Sequence, residues 1–88
     1  MVENKTGRGK LSPPSNINET LCEVDYHIHR TRETPPSEPG VYVVEIAWVD
    51  VGRPKLGPGI YVLTEKDGKT RHRVERDKNG SWSYGGPF

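Results

Sequence analysis

Apolar residues along this chain recur at every second position rather than every third or fourth, and that period predicts strands. Cys22, Val24, Tyr26 and Ile28 alternate with Glu23, Asp25, His27 and His29, so residues 21–31 are expected to form a half-buried strand. The run from Val41 to Val51 is apolar on both parities, with Tyr42, Val44, Ile46 and Trp48 on one and Val41, Val43, Ala47, Val49 and Val51 on the other. Two apolar faces predict a central strand or the inside of a small closed sheet. Ile60–Glu65 is the next strand. Between these lie an extended, polyproline-like connector over Thr34–Gly40 and a loop over Gly52–Gly59 stiffened by Pro54 and Pro58. Eight prolines and ten glycines leave few windows in which a helical period develops.

Two dipeptides then punctuate the chain. Asp67-Gly68 and Asn79-Gly80 both accept the positive φ angles of a type I′ hairpin turn. Centring the first turn on its dipeptide pairs Leu63 with His72 and Tyr61 with Val74. Centring the second pairs Asp77 with Trp82 and Glu75 with Tyr84. Because side chains alternate across a strand, these registers place Ile60, Val62, Thr64, Arg71, Arg73, Glu75, Trp82 and Tyr84 on one face. The other face carries Tyr61, Leu63, His72 and Val74. The expected fold is all-β, a four- to five-stranded antiparallel meander forming a curled sheet or small open barrel over residues 21–88.

Residues 1–20 contribute only Val2, Leu11 and Ile17 to the aliphatic set, beside Gly7, Gly9 and Pro13-Pro14. Such a segment buries too little to offset an ordering entropy of about 1–2 kcal/mol per residue, so it is read as a flexible tail. Its composition carries no apolar leader, and the expected location is the cytoplasm, or a host cytoplasm for a phage-encoded protein. No apolar run approaches the roughly 20 residues of a spanning helix. A single cysteine, Cys22, excludes a disulfide framework within the chain. With 88 residues, the chain holds one small domain, and its modest core makes a homodimer or a permanent protein partner an expected source of further burial.

Net charge is +1, yet it is unevenly spread: residues 66–88 hold six Lys/Arg against three Asp/Glu. Lys66, Lys69, Arg71, Arg73, Arg76 and Lys78 cluster there. On the expected register Arg71 and Arg73 share a face with Trp82 and Tyr84. Cations beside aromatics suit protein contacts, and they also suit single-stranded nucleic acid, through phosphate neutralisation and base stacking. Lys69, Arg71, Arg73, Arg76, Trp82 and Tyr84 are therefore the expected binding residues. A sequence pI of 7.9 and the interrupting Glu75 and Asp77 weigh against nucleic acid as the first choice.

Asp25, His27 and His29 share one parity, which gives a metal three side chains from one strand face. The phrase Asp25-Tyr26-His27-Ile28-His29 resembles the opening metal motif of the polymerase-and-histidinol-phosphatase superfamily and of amidohydrolases. Those barrels supply further ligands from later strands, and here the only other histidine is His72, so hydrolysis is not implied. Solvent-facing polar residues are the simpler reading, with weak metal binding as the alternative. Cys22 is expected to be a small packing group and His72 a partly buried residue with one hydrogen bond. No nucleotide fingerprint or metal-finger spacing appears, so no cofactor is expected.

The layout Pro35-Pro36-Ser37-Glu38-Pro39-Gly40-Val41-Tyr42-Val43-Val44, followed by hairpins and Asn79-Gly80-Ser81-Trp82-Ser83-Tyr84, resembles small uncharacterised proteins of bacteriophages over roughly residues 35–84. The resemblance implies an accessory protein, for example an inhibitor of a host enzyme or defence system. The expectation from sequence is thus a non-enzymatic protein that acts by protein–protein interaction. A nucleic-acid-binding barrel and a metal-binding protein through Asp25, His27 and His29 are the alternatives.

Overall fold

Six strands of residues that alternate apolar and polar side chains build one antiparallel sheet in the computed structural model, which describes residues 4–30, 42–49 and 55–88. They are β1 (Asn4–Ser12), β2 (Cys22–Arg30), β3 (Tyr42–Trp48), β4 (Gly59–Thr64), β5 (Arg71–Arg76) and β6 (Trp82–Pro87). The sheet order is β3-β2-β1-β4-β5-β6. Two three-stranded meanders therefore meet along β1 and β4, and the sheet curls until β3 approaches β6. Among the described residues no ladder joins these two ends; ring pairs close the seam instead. Tyr42 meets Tyr84 at 4.7 Å between centroids, and Trp48 meets Trp82 edge-on at 6.2 Å. The all-β antiparallel class holds, as a nearly closed barrel of six strands.

The extra strand corrects the reading of residues 1–20 as a tail. Residues 4–12 form β1, which pairs with β2 over eight positions from Asn4↔His29 to Leu11↔Cys22, and with β4 at Lys10, Leu11 and Ser12. Leu11 is wholly buried. Gly7 and Gly9, which read as breakers, are the reason the strand fits. A Cβ on Gly9 would stand 2.3 Å from the Thr64 carbonyl oxygen, and one on Gly7 would stand 3.0 Å from the Tyr26 hydroxyl. Glycine here admits the Tyr26 ring, whose hydroxyl accepts a hydrogen bond from the Lys66 amide at 3.3 Å. Beyond β1, residues 13–20 form two linked turns, with the Asn16 and Glu19 amides donating to the Pro13 and Asn16 carbonyls.

β3 closes one end of the order rather than lying at its centre. Tyr42, Val44, Ile46 and Trp48 face inward, and Glu45 and Ala47 are exposed. The expected connector over Thr34–Gly40 lies outside the described residues, as do Val41, Asp50 and Val51 of the expected strand and residues 52–54 of the loop. The core consists of Leu11, Val24, Tyr26, Ile28, Val44, Leu63 and Val74, with Cys22, Ile46, Leu56 and the aromatics packed against it.

Register distinguishes the two hairpins. Leu63 faces His72 and Tyr61 faces Val74, as the Asp67-Gly68 turn requires. In the second hairpin Arg76 faces Trp82, Glu75 faces Ser83 and Val74 faces Tyr84, one residue away from the expected pairing. The loop is three residues long, Lys78–Gly80, closed by the Asp77 amide donating to the Ser81 carbonyl at 3.0 Å. Only Gly80 takes a positive φ, at 86°, and no other residue type does so anywhere among the described residues. A two-residue type I′ turn would force Asn79 into that region as well; the longer loop confines the demand to glycine. A shift of one residue moves a whole strand to the opposite face. Trp82 and Tyr84 consequently point inward.

Candidate functional site

The inward turn of β6 dismantles the expected binding face. Arg71 and Arg73 share the outward parity of β5, whereas Trp82 and Tyr84 lie inside with Val74 and His72. Arg73 is exposed, with its guanidinium 5.8 Å from the Phe88 ring centroid. Lys69 sits at the exposed tip of the first hairpin, where its amide donates to Asp67 Oδ1 at 2.8 Å. Of the expected set, only Arg76 and Trp82 come together. Arg76 stands inside the barrel mouth with its guanidinium 5.3 Å from the Trp48 ring centroid and 5.2 Å from that of Trp82. Tyr61 adds an edge contact to Trp82 at 5.9 Å. The two indoles, themselves 6.2 Å apart, hold the cation between their edges and faces on one side, and the cluster closes one end of the core.

Farther along the interior, a polar chain connects three strands and the first hairpin. His72, almost fully buried, contacts the Tyr84 hydroxyl through Nδ1 at 3.1 Å and the Glu65 carboxylate through Nε2. Lys5 donates to the same carboxylate at 3.4 Å. A cavity of about 70 Å³ adjoins Lys5, Ile28, Tyr42, His72 and Tyr84. Burial raises the Tyr84 phenol above its ordinary value, and the neighbouring Tyr42 and Glu65 charges act in the same direction. A phenol held protonated is a donor, not a nucleophile, so this group fastens β1 and β6 to β5. His72 thus makes two polar contacts where one was expected.

A larger concavity, of about 450 Å³, lies on the outside, where β1, β4, the 13–20 turns and the first hairpin meet. Arg8, Lys10, Lys66 and Arg71 line it, with Glu23 and Glu65 as the acids among the described residues. Alternation along β1 sends Arg8 and Lys10 outward while Gly7, Gly9 and Leu11 face the core. Arg71 is half-buried; Nη1 donates to the Lys69 carbonyl at 3.4 Å, and the buried Nε has no acceptor among the described residues. A buried N–H left without a partner is unusual and marks a place where an external acceptor adds stability. Sequence reasoning found Arg71 but missed Arg8 and Lys10, because they lay in the supposed tail. The available signal was the alternation Arg8-Gly9-Lys10-Leu11, whose inner positions are glycine and leucine.

The first hairpin is held rigidly beside this groove. Asp67 accepts hydrogen bonds from the Lys69 amide at 2.8 Å, the Thr70 amide at 2.9 Å and the Thr70 hydroxyl at 2.6 Å. Led by the Thr70 hydroxyl, these bonds pull its carboxyl down from 3.8 to about 2.

The candidate metal triad is also rearranged. His27 and His29 do lie side by side outside, with ring centroids 4.7 Å apart. Asp25 faces Arg8 instead, at 3.7 Å, and Glu45 stands opposite His27. Comparison of the chain with protein-family models, curated proteins and solved structures returns no match.

Proposed function

We propose that this chain is a non-enzymatic binding protein whose outer groove receives an acidic segment of a partner protein. The observation that carries this reading is the half-buried Arg71, whose Nε lacks an acceptor among the described residues, in a concavity also lined by Arg8, Lys10 and Lys66. A carboxylate entering the groove supplies that acceptor and gains a charge-assisted hydrogen bond. The remaining cations steer association and make it sensitive to salt. Covering an acidic surface of another protein is also how a small accessory protein inhibits an enzyme, the role implied by the phage resemblance.

Single-stranded nucleic acid is the weaker reading, because the aromatics it needs beside the cations are turned inward: Trp82 and Tyr84 pack against Trp48, Tyr61 and Tyr42. Fluorescence anisotropy with a labelled decaglutamate peptide and a labelled oligo-dT separates the two. The peptide is expected to bind, with affinity falling as salt rises and about tenfold weaker in Arg71→Ala, the change matching loss of one charge-assisted bond. Tighter binding of oligo-dT, or peptide binding unchanged by Arg71→Ala, overturns the proposal.

A further inference from the structure

We infer that His27, His29 and Glu45 form an outer-surface site for a divalent ion of the zinc class. His27 and His29 are two residues apart on β2 and therefore project to the same side, and the β2–β3 register sets Glu45 directly across from His27. His27 Nδ1 lies 3.6 Å from Glu45 Oε2, too far for a hydrogen bond. It is, however, the separation of two ligands on one tetrahedral ion, since ligands about 2.0–2.2 Å from zinc stand about 3.3–3.6 Å apart.

The other ring nitrogen supports the same assignment. His27 Nε2 lies 3.3 Å from Asn4 Oδ1, an oxygen that only accepts, and the tautomer with its hydrogen on Nε2 is the one that satisfies this contact. In the neutral ring Nδ1 then presents its lone pair to the Glu45 carboxylate, two acceptors face to face across a gap that a cation fills. An outer hydrogen bond that fixes the tautomer and orientation of a metal-binding imidazole is the usual companion of such a ligand. His29, beside it, has a buried Nδ1 with no hydrogen-bond partner among the described residues. Among the described residues no three His, Cys, Asp or Glu side chains already converge on one point, so His29 joins by rotation about its side-chain torsions. Asp25 is not a ligand; it is turned to Arg8. With His27 about two-fifths and Glu45 two-thirds exposed, water completes the coordination.

The test is isothermal titration of the full chain, carrying no polyhistidine tag, with zinc chloride, together with the visible spectrum after addition of cobalt(II). One ion per chain and the intense absorption of tetrahedral cobalt are expected. His27→Ala and His29→Ala each weaken binding about tenfold or more, Glu45→Gln weakens it less, and Asp25→Asn leaves it unchanged. All four side chains face outward, so the variants retain the fold, and His27→Gln provides a second substitution at the key position. Absence of saturable binding, binding indifferent to both histidines, or loss in Asp25→Asn instead overturns the assignment.

Discussion

The two hairpins of the C-terminal half begin from nearly the same chemistry and reach opposite results. Asp67-Gly68 and Asn79-Gly80 each place a glycine at positive φ, 76° and 86°. In both, an upstream or central aspartate gathers the loop amides: Asp67 holds those of Lys69 and Thr70, and Asp77 Oδ1 holds those of Asn79 and Ser81. The first loop is four residues, bounded by the Glu65 amide donating to the Thr70 carbonyl, and its even length keeps the register of a two-residue turn. The second is three residues, and its odd length transfers Trp82 and Tyr84 from the outside to the core. One residue of loop length therefore decides whether aromatics or only cations face solvent.

Trp82→Ala gives the largest expected effect that sharpens this contrast. An inward Trp82 packed on Trp48, Tyr61 and Arg76 loses about 3 kcal/mol on truncation, while Ser83→Ala, one residue along and exposed, stays within about 0.5 kcal/mol. Urea denaturation measures both, and equal small losses would return Trp82 to the surface. Next come Gly68→Ala and Gly80→Ala, each costing about 1–2 kcal/mol because alanine is strained at these φ values; a neutral Gly80→Ala would mean a different loop. Asp77→Ala, which removes the acceptor for two loop amides, is expected to lose about 1 kcal/mol by the same assay.

The smallest effects are those of pH. Asp67 is held below its ordinary value, so its contribution is present above about pH 4 and disappears as pH falls through about 2. Melting curves should show that acid-side loss in the wild type and not in Asp67→Asn. Tyr84 is shifted the other way: its contribution is intact below the ordinary phenol value near 10 and is lost as alkali ionises the buried ring. A Tyr84→Phe variant should lack that alkaline component.

The parts of this fold legible in the sequence were those in which alternation and turn chemistry agree. β2, β3 and the β4–β5 register follow from apolar period and from a loop whose length leaves pairing unchanged. β1 was hidden because Gly7 and Gly9 look like flexible punctuation, and only the Tyr26 ring packed across them, with the Thr64 carbonyl oxygen against Gly9, shows why a side chain is forbidden there. β6 was placed but turned over, because an Asn-Gly dipeptide does not reveal whether Asp77 will close a two- or a three-residue loop. The candidate groove was half legible for the same reasons. Arg71 stood out in the basic cluster, whereas Arg8 and Lys10 become relevant only once β1 is a strand. Glu45 becomes a neighbour of His27 only through cross-strand register.

The measurement that bears most directly on the account is the pairing of β5 with β6 in solution, read from cross-strand backbone proton contacts by nuclear magnetic resonance. Val74 opposite Tyr84 and Arg76 opposite Trp82, with the Trp82 indole in contact with Trp48 and Tyr61, is the predicted result. Glu75 opposite Tyr84 and Asp77 opposite Trp82, with the Trp82 indole away from Trp48 and Tyr61, would contradict it and restore an outward aromatic surface.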